Sequence, residues 1–369
     1  IDNYSQRERA IYAQGTTDAS GDYVNGYYTE TNRRYSEINL EGIVTYNKQL
    51  SENFKLQLNA GANTMKRVRN TISGTLPALE LPDLYTLSNL ATGSTAQITS
   101  QYFEQRINSL FGFGQLSYKN YAFLDFSARQ DWASVLPTSN NAFLYPAVST
   151  SLILSDMFGF SDAKVNYLKL RGGWAKVGSN GALGEYNINK SYGLTSTGFG
   201  TISTIPNTQW NPAIKPEYKV GWDAGIDLTA FRNRLRLGVT YYEQTSKDLI
   251  LPVSVSAASG FNFSWQNAGE MVNKGIEIEL GATIVKSDNF SFDVDVNFAK
   301  NKNEVITLGG IDTYLLGQAG FSAQTHATPG QAYGAITGFA YQRNDDGEII
   351  FNNGLPQYEK TRSVLGNVT

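Results

Sequence analysis

Phe290-Ser291-Phe292-Asp293-Val294-Asp295-Val296-Asn297-Phe298 decides the fold of this chain. Large apolar residues occupy every even position, and the odd positions hold only serine, aspartate and asparagine. Successive side chains of a strand point to opposite faces, so this segment reads as a strand with one apolar wall and one acidic, wet wall. The same alternation recurs in Phe54–Asn63, Val220–Leu228, Arg234–Tyr241 and Ile276–Ile284. Less regular versions run through 33–49, 106–118, 120–132, 143–155 and 166–178. With a shorter opening segment near 3–14, these make eleven candidate strands, and sustained helical periodicity is absent.

The connections fall into two classes that take turns. Short ones join 49 to 53, 118 to 121, 230 to 234 and 286 to 290, with a medium turn at 155–165; long ones cover about 69–105, 133–142, 179–215, 249–272 and 304 onward. Tight turns on one side and long loops on the other are the pattern of a transmembrane β-barrel. A soluble antiparallel meander or sandwich is the competing reading, although its loops need not segregate by length. Strands of 12–15 residues also favour the barrel, because a tilted spanning strand needs about 9–11 residues in the bilayer. Aromatics near segment ends (Tyr46, Tyr118, Tyr121, Trp132, Tyr167, Trp174, Tyr241 and Tyr242) suit interfacial girdles.

Composition excludes several functions. No stretch of about 18 apolar residues exists to form a membrane helix, and a net charge of −3 gives no basic footprint for nucleic acid. Cysteine is absent and His326 is the only histidine, so disulfides, Cys/His zinc sites and histidine-based nucleophilic catalysis are not expected. Asp223, Asp227, Glu277, Glu279, Asp293 and Asp295, with Arg234 and Arg236, fall on the polar side of the alternation and are read as lumen-lining. The spacing of Glu277 and Glu279 follows from alternation alone, so the chain is not read as an enzyme. Gly112-Phe113-Gly114 is read as a small-residue stripe rather than a phosphate cradle, and Ser179–Gly184 as a flexible loop opening. Tyr186, Tyr192, Phe199, Trp210, Phe261, Phe263 and Trp265 are the loop candidates for ligand contact, since exposed rings stack on sugars, grip peptides or meet a lid.

Several segments resemble those of SusC/RagA-type TonB-dependent outer-membrane transporters of Bacteroidetes. Leu144-Tyr145-Pro146-Ala147-Val148-Ser149 with Leu154-Ser155-Asp156 resembles that family's "FPSVS…LSE", after an Arg129-Gln130-Asp131 stretch similar to its R-x-D. Asn211–Glu217 is similar to "NPDLKWE", and Phe231–Leu235 with Tyr241-Tyr242 and Thr245–Leu249 to "FNNRL…YY…TKDLL". Asn267–Glu277 matches "N-x-G-x-x-x-NKGIE", Asn301–Val305 matches "NKNxV", and Gly330–Gly334 and Leu365-Gly366-Asn367 resemble late family signatures. Leu84–Asn89 fits the same order of motifs.

The resemblance implies an all-β, 22-stranded antiparallel transmembrane barrel, of which residues 1–369 would be a part, with the N-terminal plug and the closing C-terminal strands outside this chain. It implies an outer-membrane importer of oligosaccharides or peptides. The implied partners are a SusD-like surface lipoprotein, the TonB–ExbB–ExbD machinery and outer-membrane lipid. A passive porin, a surface β-adhesin and a barrel enzyme using His326 are the alternatives weighed. No cofactor or metal is expected. Calcium in an extracellular loop is considered at Asn344–Gly354, but Asp346-Gly347 reads better as a hairpin turn.

The facing assignment is testable. Val294→Arg or Val296→Arg is expected to block membrane insertion, at about 2–4 kcal/mol each near mid-bilayer, whereas Asp295→Asn is tolerated. Membrane fractionation of the three variants reads the outcome, and equal tolerance would refute the assignment.

Overall fold

The structure, a computed structural model, describes residues 1–18, 21–160, 164–197, 200–319 and 323–367. Eleven long strands are present among the described residues: β1 (Asp2–Tyr12), β2 (Tyr27–Gln49), β3 (Phe54–Leu76), β4 (Gln97–Tyr118), β5 (Ala122–Ala133), β6 (Ala142–Ile153), β7 (Val165–Ser179), β8 (Glu217–Ala230), β9 (Leu235–Ser254), β10 (Phe263–Lys286) and β11 (Ser291–Thr307). In the main sheet they lie in chain order, and the pairs β1–β2, β6–β7, β7–β8, β8–β9, β9–β10 and β10–β11 are antiparallel. A short segment, Thr208–Gln209, adds in parallel to the start of β10. No helix is long and apolar enough to cross a membrane among the described residues.

The turns on one side are short. At 119–120, Lys119 and Asn120 both take positive φ (47° and 62°), as a two-residue hairpin turn requires, and Asn233 in the next tight turn has φ 65°. The medium connection contains a one-turn helix α1 (Leu154–Phe158), closed by left-handed Gly159.

The chain falls into two compact units. The first comprises residues 1–42, 61–109 and 132–135. Its apolar core is Tyr28, Leu76 and Leu79, packed by Tyr85, Leu90 and Ala96 from the long loop between β3 and β4. Asn89 secures that loop by donating to the carbonyls of Leu81 (2.8 Å) and Leu84 (2.7 Å) while accepting from the Leu81 amide (3.0 Å). The second unit comprises 43–60, 110–131 and 136–369. Val305, Leu308 and Ala327 form a core there, beside a separate antiparallel sheet of β12 (Tyr314–Ala319), β13 (Ala323–Ala327), β14 (Ala335–Gly338) and β15 (Ser363–Asn367).

Both apolar clusters lie at the long-loop ends of the strands, not between layers of sheet. The apolar wall of Phe290–Phe298 stays bare: Phe290, Phe292, Val294, Val296 and Phe298 each keep 37–59% of their surface exposed. Register puts them beside equally outward residues, Val296 opposite Leu280 and Phe298 opposite Ile278. A sandwich would cover such a face with a second sheet, so the bare wall excludes that alternative.

Three expectations need correction. The strands run to 20–24 residues in β2, β3, β4, β9 and β10, so residues 69–76, 97–105, 249–254 and 263–272 belong to strands and not to loops. In those stretches the apolar/polar alternation lapses: Leu249-Ile250-Leu251-Pro252-Val253 is apolar at every position, while Gln97–Gln105 is largely polar, so the two-residue period is lost although the strands continue. Residues 304 onward hold the four-stranded sheet rather than a plain loop. Tyr167 and Tyr242 are not girdle residues: Tyr167 pairs with Thr229 and Tyr242 with Asp223, on the polar face. Trp174, Trp222 and Tyr241 do form an aromatic group on the apolar face, with Trp222 opposite Trp174 and 5.4 Å from the Tyr241 ring.

Gly275 of the NKGIE segment tests the tightness of this sheet. A Cβ there would stand 2.5 Å from the Lys300 carbonyl oxygen and 2.7 Å from the Tyr242 hydroxyl, so Gly275→Ala must move backbone. We expect a loss of about 1–3 kcal/mol, read as a lowered midpoint of heat-modifiable gel migration. Gly42→Ala, with open space around its Cβ, leaves the midpoint unchanged.

Candidate functional site

The polar face is built over glycines. Register places Asp223, Asp227, Glu277, Glu279, Asp293, Asp295 and Arg236 on one face of β8–β11: Asp227 lies opposite Gly238, Gly238 opposite Glu279, and Glu279 opposite Asn297. Arg171 of β7 lies across Gly225 and reaches Asp223 (3.8 Å), Asp227 (3.4 Å) and the Thr240 hydroxyl (2.5 Å). Arg236 and Asp295 pair at 3.1 Å over Gly281, where a Cβ would stand 2.7 Å from the Asp295 carboxylate. Tyr242 reclines over Gly275 and donates to Asn301 (3.2 Å), and Gln244 covers Gly221. Each long polar side chain lies flat because the neighbouring strand offers no Cβ.

These ion pairs are solvent-exposed, with about two-thirds of each side chain exposed in Arg236–Asp295, so they contribute little stability. They match three of the six carboxylates with two arginines and leave the wet surface rich in acids. Arg171, which with Lys169 falls on the polar side of the alternation in the sequence, is the cation that joins two of them, and only register shows which two. Tyr167, Asp227, Arg236, Glu279, Asp295 and Asn297 line one cavity of about 360 Å³. Arg234 stands apart: it is in the tight turn before β9 and not on a strand, its carbonyl accepting from the Thr283 amide (2.7 Å).

The loop candidates divide. Trp210 and Phe261 meet edge to face, with ring centroids 5.7 Å apart, and the Lys190 ammonium stands 5.3 Å from the Trp210 ring. Phe263 joins them through the backbone, since its amide and that of Asn262 both donate to the Asn207 carbonyl (3.2 and 3.0 Å). The Trp265 carbonyl accepts from Asn211 (2.8 Å), so this half-buried ring belongs to the strand base of the loop. Tyr192 is 60% exposed, and Tyr186 takes φ +66°. Phe199 lies outside the described residues.

Several motif residues act as clamps for the loops. Asn267 accepts from the Lys215 amide (2.9 Å) and donates to the carbonyls of Lys215 (2.8 Å) and Asp248 (2.9 Å). Asp131 accepts from Arg129 (2.7 Å) and from the Tyr145 hydroxyl (2.8 Å). Asn303 accepts from the Tyr333 amide (2.7 Å) and donates to Asn273 (2.7 Å). Glu217 accepts from the Ile250 amide (3.1 Å), and Gly181, at φ +56°, leaves no room for a Cβ beside that carboxylate. Gly181 therefore takes a left-handed conformation against Glu217 that a side chain would obstruct, a use of glycine's backbone freedom.

At 344–348 the chain makes a turn: the Gly347 amide donates to the Asn344 carbonyl (2.9 Å), and Asn344 Oδ1 accepts from the Glu348 amide (2.8 Å). His326 in β13 contacts the Thr337 hydroxyl through Nδ1 (2.8 Å).

A family model described as "TonB dependent receptor-like, beta-barrel" matches residues 2–366. The chain belongs to the TonB-dependent receptor β-barrel family. It is 28% identical over 284 residues to TonB-dependent receptor P26 of Formosa agariphila, covering 74% of this chain and 28% of that protein. It is also 28% identical over 260 residues to TonB-dependent receptor SusC of Bacteroides thetaiotaomicron, covering 66% and 25%. The chain thus spans about a quarter to a third of the length of these relatives. Among solved structures, the RagAB peptide transporter superposes with a TM-score of 0.80 at 21% identity, covering 98% of this chain and 40% of that one. The fold is that of an all-β outer-membrane barrel of SusC type, and the bare apolar wall is its lipid-facing side.

Glu217 gives this TonB-dependent receptor chain a pH-sensitive clamp. Burial holds its carboxyl above the ordinary glutamate range, partly offset by hydrogen bonds from Ile250 and Ser179. A raised folded-state value means the folded chain holds the proton more tightly than the unfolded one, so stability from this group is lost as pH rises from below its unfolded value through its folded value. Protection factors of the amides around 179–184 and 249–251, which are corrected for the intrinsic rise of exchange with pH, are expected to fall as pH rises through the folded-state value, and Glu217→Gln to flatten that dependence.

Proposed function

We propose that the chain is the wall and loop rim of an active importer of oligosaccharides or peptides, energised by TonB–ExbB–ExbD and working with a SusD-like surface lipoprotein. Family membership and the likeness to SusC support import as the role, and the solved relative RagAB is described as a peptide transporter. The observation within the chain that carries the reading is the pairing of a bare apolar face with a solvated, charged opposite face. A solute moving along such a wall meets exposed ion pairs and hydroxyls that exchange with water at low cost. The Trp210–Phe261 pair with Lys190 offers a ring face and a cation to sugar rings or to peptide side chains. No covalent chemistry and no cofactor are part of this reading, and calcium is not assigned to the turn at 344–348.

The test is uptake of labelled oligosaccharide and peptide pools by cells carrying the full-length receptor. Uptake is expected to stop without TonB and to fall without the lipoprotein partner, and Trp210→Ala to raise the half-saturating concentration about tenfold, or about 1.4 kcal/mol. Uptake that persists without TonB would establish passive diffusion instead.

A further inference from the structure

The first unit carries a second feature on its outward side. Ser5 and Arg7 of β1 lie opposite Arg34 and Asn32 of β2. Arg34 and Asn32 are in phase along that strand with Ile38 and Leu40, which are 40% and 61% exposed on the apolar wall. Contacts of the other parity, Thr31 with Ser73 (2.8 Å) and Asn39 with Asn63 (2.6 Å), mark the inner face. By the same phase Asn70 of β3 and Tyr102 of β4 face outward, as do Lys66 and Glu104, paired at 3.3 Å. Ser5, Arg7, Asn32, Arg34, Asn70 and Tyr102 line a groove of about 570 Å³.

The charges of this face are unequal. Glu30 accepts from Arg7 (2.7 Å) and Tyr28 (2.6 Å), and Glu104 from Arg106 (2.6 Å) and Tyr102 (2.6 Å). Hydrogen bonds hold both carboxyls down to about 2, so both acids are ionised and already matched. Arg34 makes no ion pair among the described residues. Its planar fork suits a phosphate, and the surrounding hydroxyls, amides and Tyr102 ring suit a sugar. Four residues separate Arg34 from Ile38, about 13 Å along a strand at ~3.3 Å per residue, or roughly 10 Å of height for a tilted one. That is the level of the sugar headgroups of the leaflet whose acyl chains cover Ile38 and Leu40.

We infer that this groove binds the phosphorylated sugar headgroup of an outer-leaflet glycolipid. A lipid occupant fits because the groove continues the lipid-facing wall and adds an unmatched cation just beyond its apolar part. The inference rests on the outer-membrane placement and does not depend on what the receptor imports.

Native mass spectrometry of the purified full-length receptor, with diphosphoryl lipid A and its dephosphorylated form as probes, tests it. The wild type is expected to retain the phosphorylated lipid preferentially. Arg34→Gln weakens retention about tenfold, Arg34→Lys restores part of it, and Asn70→Ala weakens it about threefold. Lys360→Gln, on an exposed residue outside this unit, leaves it unchanged. Heat-modifiable gel migration confirms that each variant is folded. Unchanged retention in both Arg34→Gln and Asn70→Ala, or equal retention of the two lipids, overturns the inference. So does binding of inorganic phosphate alone with the same affinity, or loss of a copurifying protein from Arg34→Gln with lipid retention intact.

Discussion

Backbone hydrogen bonding in a medium without water is the constraint on which everything else here depends. Each amide and carbonyl inside a bilayer must be paired by another backbone group, and a sheet does this only between strands. The antiparallel ladders from β6 to β11 meet that demand residue by residue, with few register shifts. Once the ladder is set, alternation sends every second side chain to lipid and the others to water. The uncovered Phe and Val residues of β11 are a consequence of that geometry and not a defect of packing.

Glycine links the ladder to the polar face. Strands stand about 4.8 Å apart, so long side chains can lie across a neighbour only where that neighbour lacks a Cβ. Gly225 under Arg171, Gly281 under Arg236 and Gly275 under Tyr242 provide those places. The result is a surface of exposed charges on which no single ion pair is strong. Stability comes instead from the ladder and from the small cores where loops fold back, around Tyr28 in one unit and Val305 in the other.

Where the family resemblance rested on short motifs, the structure assigns most of their polar residues to holding loops and not to chemistry. Asn267, Asn303, Asp131 and Glu217 each join segments distant in sequence through several hydrogen bonds. The signals seen in the sequence were real, but they marked loop clamps. The residues proposed to meet an external ligand, such as Trp210, sit in less patterned sequence, since a loop that selects its ligand is under no periodic constraint.

By itself the sequence determined the strand count, the facing of Phe290–Phe298 and its counterparts, and the alternation of tight turns with long loops. These properties follow from the two-residue period of one strand and from local turn chemistry. Tertiary structure decided what lies between strands. The continuation of β3 to Leu76 and of β4 back to Gln97, the inward placing of Tyr167 and Tyr242, the ion-pair partners of Arg171 and the packing of Gly181 against Glu217 all depend on residues far away in the chain. Register is a sum of many weak cross-strand pairings. No single segment contains that sum, so it becomes visible only once the strands are side by side.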